Sequence, residues 1–544
     1  MTNYQFTGGT ICAPATIPGT GAISIIRVSG NEALAIADKV IDTKGIPIAE
    51  AEGYRLRYGT VFEADGSVLD NVIVSVFRAP HSYTGENSVE ISCHASRFIV
   101  NKILELLVNA GARIAAPGEF TRRAFVNGKM DLAQAEAVAD VIASQSAASH
   151  RVAMNQLKGG FSSELKVLRE KLLTMTSLLE LELDFSEEDV EFASRKELGQ
   201  LVDDSLTHIG RLTASFSRGN AIKNGVPVAI VGATNTGKST LLNALLGEER
   251  AIVSDIAGTT RDTIEETLNI DGILFRFIDT AGIRETDETI EKIGIDRTFK
   301  KLGEAAVVLG MTDLSRGEAA VLEDADFILS KVNEMGGVKN VGLVSDGAET
   351  GGAPLAGTDR TSLAETGVAS QHGHGAGQER KVVILVNKCD VAGDFYRDDN
   401  GTGYGSGNDL GENMAEIGGN KNVNHDNNIV SLIENKYDNC KVIPISAKTG
   451  KGLSTLTKTL GEIGSEITGS TDETLVTNVR HYEALVRAAS SLERVRAGLH
   501  IATLPPDLIA QDLREALYHL GEIVGEITTD ETLGNIFRKF CIGK

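Results

Sequence analysis

The chemistry of this 544-residue chain is most visible in the run GATNTGKS at residues 232–239, which fits G-x-x-x-x-G-K-[ST]. Glycines there let the backbone approach phosphate closely, and successive N–H groups can surround its oxygens. Lys238 is placed to reach the terminal phosphates and the Ser239 hydroxyl to ligate Mg²⁺, with Thr236, Gly237 and Thr240 completing the loop and the helix start. Asp279, Thr280, Ala281 and Gly282 form a D-x-x-G motif. Its carboxylate suits the magnesium shell, and its glycine N–H can sense a γ-phosphate. Asn387, Lys388, Cys389 and Asp390 form N-K-x-D. The Asp390 carboxylate can accept from guanine N1–H and the 2-amino group. Adenine offers neither donor and would leave that carboxylate unpaired. Ser446, Ala447 and Lys448 would close over the base. Each short motif is weak alone. In this order, each at the end of a strand-like apolar run, they point to guanine-nucleotide hydrolysis in a P-loop protein.

Two departures concern catalysis. Many such proteins orient the attacking water with a glutamine just after D-x-x-G, but here that position is Ile283, which can neither donate nor accept. The following segment carries Glu285, Asp287, Glu288 and Glu291. Most of these read as a solvated acidic loop, and one could act through a bridging water as general base. Asn235 precedes Gly237-Lys238, where its amide oxygen could ligate a monovalent cation. Residues 254–260 (Ser254, Asp255, Ile256, Ala257, Gly258, Thr259, Thr260) read as a flexible first switch. Thr260 is a second candidate Mg²⁺ ligand, and nearby carbonyls could complete a cation cage where an arginine finger's charge is needed.

These loops need elements to hold them. Residues 226–231, 274–278 and 382–386 read as strands and 239–246 as a helix, which predicts a parallel sheet with helices on its faces. Ahead of this unit, residues 1–127 read as mixed α and β, with strands at 23–28 and 72–77. A helix is expected at 96–110, with Phe98, Ile99, Ile103, Leu106 and Leu107 as its apolar stripe. Asp131 and Gln134 resemble a capping box. Phe161, Leu165, Leu168, Leu172, Met175 and Leu179 recur at steps of four and three, the pattern of a helical bundle core. Leu513, Leu517, Leu520 and Val524 form a second stripe, with Asp507 as the expected N-cap after two prolines. Helices on both sides of the α/β unit suggest one helical domain interrupted by an insertion. The expected boundaries are 1–127, 128–222, 223–468 and 469–544. Within the third, residues 336–380 are rich in Gly, Ala, Ser and Thr, and 393–428 in Gly, Asn and Asp. Both read as loosely ordered surface insertions that lack the apolar residues to offset ordering entropy.

Composition narrows the function classes. The formal charge is 53 − 75 = −22, so the surface repels nucleic acid on average and RNA contact needs a local basic patch or a partner. The five cysteines are odd in number and show no metal-ligand spacing, as in a reduced cytoplasmic protein. No apolar run approaches the ~20 residues of a membrane span. Residues 1–26 hold no Lys or Arg, so neither a secretory signal nor an Arg-rich transit peptide is expected. No dinucleotide fingerprint is convincing, since Gly19-Thr20-Gly21 is too short and precedes a strand instead of following one.

At this point the chain resembles the bacterial tRNA modification GTPase family MnmE, also called TrmE. The resemblance rests on residues 15–30 (ATIPGTGAISIIRVSG), 81–94 (HSYTGENSVEISCH) and 117–140 (PGEFTRRAFVNGKMDLAQAEAVAD). It continues through 232–239, 255–262 (DIAGTTRD), 279–294 (DTAGIRETDETIEKIG) and 521–544, which ends in C-I-G-K. The resemblance implies a multidomain α/β plus α protein. Its parts are an N-terminal α+β folate-binding and dimerisation domain, a discontinuous helical domain, and an inserted Ras-like P-loop GTPase domain. It implies a homodimer and a one-carbon tetrahydrofolate derivative (5-formyl- or methylene-tetrahydrofolate) held by positions matching Arg27, Glu90, Lys129 and Lys544. It implies K⁺ at Asn235, Ser254, Ile256 and Thr259, Mg²⁺ at Ser239 and Thr260, and Glu291 as the water-orienting residue. A second protein, MnmG, would bring FAD and NADH. Together the two would add an aminomethyl or carboxymethylaminomethyl group to C5 of the wobble uridine of certain tRNAs. Cys541 has two readings, a thiol near the folate or a buried anchor among Phe537, Phe540 and Ile542. Thr234 stands where the family usually has proline. A ribosome-assembly GTPase is the alternative, disfavoured because no basic RNA-binding module is evident. A folate-binding protein whose nucleotide unit is only a sensor is a third reading.

Overall fold

The computed structural model describes residues 8–184, 194–249, 266–278, 305–334, 380–390, 429–437, 440–469, 473–501 and 505–538, with 540 and 543. The switch segment 254–260, the run 279–282, Glu291, Cys541, Lys544 and nearly all of both insertions lie outside these residues. The chain divides into two compact units. One comprises Met1–Ser144, His150–Phe216 and Thr474–Lys544, and the other Gln145–Ser149 and Ser217–Glu473.

The first unit opens with β1 (Ile11–Pro14), β2 (Ile23–Ser29), β3 (Ile41–Asp42), β4 (Arg55–Phe62), β5 (Val68–Phe77), β6 (Ser88–His94) and β7 (Arg113–Ile114). They form one sheet in the order β3-β4-β5-β6-β2-β1-β7. Alternating Val72, Val74 and Val76 on β5 are buried, and helices α1 (Ala33–Val40) and α2 (Arg97–Asn109) share their core. On α2, Ile103 and Leu107 are buried, but Phe98 is 57% exposed and leaves the expected stripe. Phe98 stands four residues before Lys102 and seven before Glu105, on the helix face that carries this exposed ion pair, whereas Ile99 in the same turn packs on the core.

After α3 (Glu119–Val126) come α4 (Leu132–Ala143), α5 (Ala147–Leu157), α6 (Gly160–Asp184) and α7 (Arg195–Asn224). Asp131 and Gln134 form the reciprocal capping box at the start of α4. Phe161, Leu165, Leu168, Leu172 and Leu179 are buried, with Met175 packed beside them.

The second unit holds β8 (Val226–Gly232), α8 (Lys238–Glu249), β9 (Glu266–Ile270), β10 (Ile273–Ile278) and β11 (Val307–Asp313). These are followed by α9 (Glu318–Glu334), β12 (Lys381–Asn387), α10 (Ile429–Lys436), β13 (Lys441–Pro444) and α11 (Leu453–Thr468). The sheet runs β13-β12-β11-β8-β10-β9. Five strands are parallel, as their continuous apolar runs predict, and two separate cores line the two faces. Strand β9 corrects the expectation of an all-parallel sheet. It pairs antiparallel with β10 through the tight Asp271-Gly272 turn, where Asp271 has φ +52° and Gly272 φ +80°.

The chain then returns to the first unit as α12 (Val479–Leu499), α13 (Pro506–Val524) and α14 (Asp530–Phe537). Leu513, Leu517 and Leu520 of α13 join the α6 stripe in one core. The cap of α13 is Pro505, not Asp507. Pro506 takes the first helical position, where its missing N–H costs nothing, and pushes Asp507 into the first turn.

Candidate functional site

Parallel strands bring their C-terminal ends to one edge, and the described motif loops of the second unit, 232–239, 387–390 and 446–448, collect there. The chain builds outward from β8 in both directions, so β8 lies at the switch point of the sheet. Directly after β8 the backbone turns through Asn235 (φ +62°) and Gly237 (φ +99°) into α8, whose first residue is Lys238. A side chain at Gly237 is excluded twice over, because its Cβ would stand 2.5 Å from Asn387 Nδ2 in a left-handed conformation. Thr236 is buried and its hydroxyl donates to Ala233 O at 2.9 Å, closing the loop on itself.

Lys238 Nζ donates to Gly232 O at 3.0 Å and Ala233 O at 2.8 Å. Burial pushes its ammonium below the ordinary lysine pKa, and among the described residues no carboxylate pairs with it. Among the described residues the positive charge at the helix N-terminus is therefore met by carbonyl dipoles alone. Asn235 and Thr240 are exposed, and Ser239 is half-buried.

Asn387 is the joint of the site. It is buried at the end of β12. Its amide Nδ2 donates to Thr236 O at 2.6 Å, and its Oδ1 accepts from Ala447 N–H at 3.0 Å. One side chain thus ties the phosphate loop, N-K-x-D and S-A-K together. Ser446 is fully buried, and its hydroxyl accepts from Thr449 N–H at 3.3 Å. Asp390 and Lys448 are exposed at the same edge. Cys389 donates its thiol to Val386 O at 3.2 Å, and burial pushes the thiol up to about 11, which suits a packing residue. Sequence reasoning missed Asp313, the last residue of β11, whose carboxylate meets Lys388 Nζ at 2.6 Å. Its only sequence signal is an acidic residue closing an apolar strand run.

The first unit carries a second constellation. Arg27 on β2 faces Glu90 on β6 in register, with Nε to Oε1 at 3.0 Å and Nη2 to Oε1 at 2.9 Å. The guanidinium carbon lies 5.1 Å from the Tyr83 ring centre and 5.6 Å from that of Phe120. Lys129 is exposed and donates to Pro80 O at 3.1 Å. The 78–87 loop therefore touches Arg27 through Tyr83 and Lys129 through Pro80. Gly543 packs on Pro14 and Ala15, which leaves no room for a Cβ there. Pro14 ends β1 and pairs with Ile26, the neighbour of Arg27, so Gly543 stands beside that stretch of the sheet.

Beside this lies a buried ion network that sequence reasoning also missed. Arg123 Nη1 donates to both oxygens of Glu86 at 3.0 Å, and Nη2 to Glu119 at 3.1 Å and Gly9 O at 2.8 Å. Glu119 also accepts from Arg113 and from Ala116 N–H, and Glu86 from Ser29. Burial alone would raise the Glu119 carboxyl's pKa, but Arg113, the Ala116 N–H and Arg123 outweigh it and hold it below its ordinary range. Glu86, Glu119 and Arg123 all sit inside the quoted stretches 81–94 and 117–140, as charged residues with no separate chemistry to explain them.

A strand, a glycine-bearing loop and a helix N-terminus at the switch point of a parallel sheet define a P-loop nucleotide-binding protein of α/β fold. The model of the GTP-binding protein TrmE N-terminus matches residues 10–129, and that of the MnmE helical domain residues 132–541. The tRNA modification GTPase MnmE of Parabacteroides distasonis is 45% identical over 538 residues, covering 98% of this chain and 100% of that protein. Its counterpart in Bacteroides thetaiotaomicron is 44% identical, with 98% and 99% covered. That of Porphyromonas gingivalis is 43% identical, with 99% of each covered. The chain belongs to the MnmE (TrmE) family of tRNA modification GTPases.

Proposed function

We propose that the chain is a K⁺-activated GTP hydrolase that acts in tRNA modification. With an FAD-dependent MnmG-type partner, it carries out folate-dependent addition of an aminomethyl or carboxymethylaminomethyl group to C5 of the wobble uridine. The observation that carries the hydrolase half is Asn387, which joins phosphate loop, base-reading loop and closing loop through one side chain. In this reading Lys238 and the N–H groups at the start of α8 hold the β- and γ-phosphates. Asp390 reads the guanine edge, and Glu291 orients water. Asn235 has no side-chain partner among the described residues, which suits a cation ligand in company with Ser254, Ile256 and Thr259. Ser239 and Thr260 would hold Mg²⁺. Bound K⁺ and Mg²⁺ supply positive charge to the developing phosphate oxyanions.

The folate reading is supported by the Glu90 carboxylate. Its Oε1 takes both Arg27 contacts, while Oε2 has no partner among the described residues and can accept from a pterin's N–H and amino groups. Arg27 holds that carboxylate in place, and Lys129 and Lys544 would meet the anionic tail. Folate supplies the one-carbon unit when bound. The homodimer is supported by an exposed apolar strip, since Tyr58 lies opposite Ile73 across β4 and β5, with Leu56 beside them. A division at 1–127, 128–222, 223–468 and 469–544 fits the two family matches and the sheet boundaries. No helix among the described residues is long and apolar enough to cross a membrane, and a cytoplasmic site of action follows from the proposed substrate.

The test is nucleoside mass spectrometry of tRNA from cells lacking this gene, with and without its re-expression. Loss and rescue of C5-aminomethylated wobble uridines is the expected result. Unchanged uridines, in cells that otherwise make the modification, would leave ribosome assembly as the better role. Glu291→Ala should lower kcat strongly and leave GTP binding nearly intact.

A further inference from the structure

Asp313 has no part in the reading above, yet both of its carboxylate oxygens are held at the strand-end edge. It ends β11 in register with Asn387, and its side chain is 7% exposed. Oδ1 accepts from Ser315 N–H at 3.0 Å and from the Ser315 hydroxyl at 2.5 Å, which opens the short turn Leu314–Arg316. Oδ2 accepts from Lys388 Nζ. One oxygen thus serves the turn and the other an ammonium on the neighbouring strand.

Lys388 is held at both ends. Its backbone has φ +65°, a left-handed conformation that is strained for a residue with a Cβ and survives only where its surroundings impose it. The surroundings do so here. Asn387 is clamped between Thr236 O and Ala447 N–H, and Cys389 N–H donates to Ile445 O at 3.2 Å. With the backbone fixed at the end of β12 and the ammonium fixed at the end of β11, the four-carbon stem is stretched between the two strand ends. A free lysine side chain loses much of its rotamer entropy when it is ordered. Here that ordering precedes any ligand, which is what preorganisation requires.

We infer that Asp313 is a positioning residue for nucleotide binding, which holds Lys388 across the ends of β11 and β12 so that its methylene stem forms a flat apolar seat for the purine ring. The inference rests on the guanine-nucleotide reading above and adds a residue outside its motifs. Asp313 touches no ligand and acts through Lys388.

The experiment measures dissociation of a fluorescent GDP analogue from the full chain by stopped flow, with thermal unfolding read in parallel. Asp313→Asn keeps an acceptor for Ser315 and removes the charge that holds Lys388. Dissociation should quicken roughly tenfold, the scale of one charge-assisted hydrogen bond, with Tm close to wild type. Lys388→Met keeps the stem and removes the ammonium, and should show a similar increase. The double variant should be no worse than the worse single one, because both remove the same contact. Additive effects, or unchanged dissociation in Asp313→Asn, would overturn the inference. If Asp313→Asn does not fold, unchanged dissociation in Lys388→Met overturns it equally. A wild-type chain that does not bind GDP sinks the guanine reading and this inference together, whereas wild-type binding with an unaffected Asp313→Asn sinks this inference alone.

Discussion

The Arg123 network of the first unit and the Lys238 loop of the second both place a cation among backbone carbonyls, with opposite outcomes. Arg123 is 3% exposed, and its charge is met by Glu86 and Glu119, which are themselves satisfied by Ser29, Arg113 and Ala116. That network is closed: every member has a permanent partner within the protein. Lys238 rests on two carbonyls of its own loop, with no carboxylate among the described residues. Among the described residues that site is open, since its positive charge and helix N-terminus suit an anion and no side chain there supplies one. A closed network of buried charges serves to fix geometry, and removing one member leaves others uncompensated. An open site sacrifices some stability for a ligand that comes and goes.

The difference can be broken by mutation, and the largest effect belongs to the closed side. Arg123→Ala should destabilise the protein by about 3 kcal/mol, because it strips Glu86 of its guanidinium partner and leaves Glu119 to Arg113 and the Ala116 N–H alone. Urea denaturation measures this, and GTP turnover per folded molecule should stay at the wild-type level. A loss under ~1 kcal/mol would mean that water replaces the guanidinium and the network is not closed. On the open side, Lys238→Ala should cut turnover roughly 100- to 1000-fold, while the urea midpoint moves little. Burial already disfavours that ammonium, so its removal relieves as much as it takes away. A large stability loss would show that the loop depends on its lysine as the first unit depends on Arg123.

A second closed cluster sharpens the contrast through pH. Glu136 on α4 meets Arg480 at 3.0 Å and His481 at 2.7 Å on α12, and Arg480 also donates to Glu522 O and Ile523 O at the end of α13. Burial alone would raise the Glu136 carboxyl's pKa, but His481 and Arg480 outweigh it and lower it from 4.5 to about 2. A depressed carboxyl contributes stability above its unfolded pKa and loses it as pH falls toward the folded one. The contribution, on the order of 3 kcal/mol, is therefore complete at neutral pH and disappears between about pH 5 and pH 2. The stability gap between wild type and Glu136→Gln should narrow across that window. A gap that stays constant would contradict the assignment. The smallest effect is expected at Cys389. Cys389→Ala should cost about 1 kcal/mol of stability and leave turnover unchanged, and a large loss of turnover would make the thiol more than a packing residue.

Local features were legible in the sequence because their partners are near in the chain. The Asp131–Gln134 box spans three residues and formed as expected. The α6 stripe became core because a helical period declares its buried face. Phe98 departs from the expected stripe because the helical period sets it with Lys102 and Glu105, on the solvent side, and apolar character alone does not bury a residue there. Asp507 is not the cap because Pro506, pre-set for a helical φ, competes for the first turn. Strand β9 was missed because a short edge strand of mixed burial lacks the apolar run of its buried neighbours.

The sequence by itself determined the phosphate loop, the order of the base-reading motifs and the helical stripes, since glycine, lysine and aspartate at fixed spacing fix local chemistry. It did not determine which side chains complete one another. Arg27 finds Glu90 across 63 residues, and Asn387 finds Thr236 across 151. The Asp313–Lys388 and Arg123–Glu86 contacts likewise required the sheets to form first. A hydrogen bond needs donor and acceptor within about 3 Å. Residues so far apart in the chain reach that distance only when strand register and helix packing have already placed them, so tertiary structure alone decided which charges are permanently paired and which remain open to a ligand.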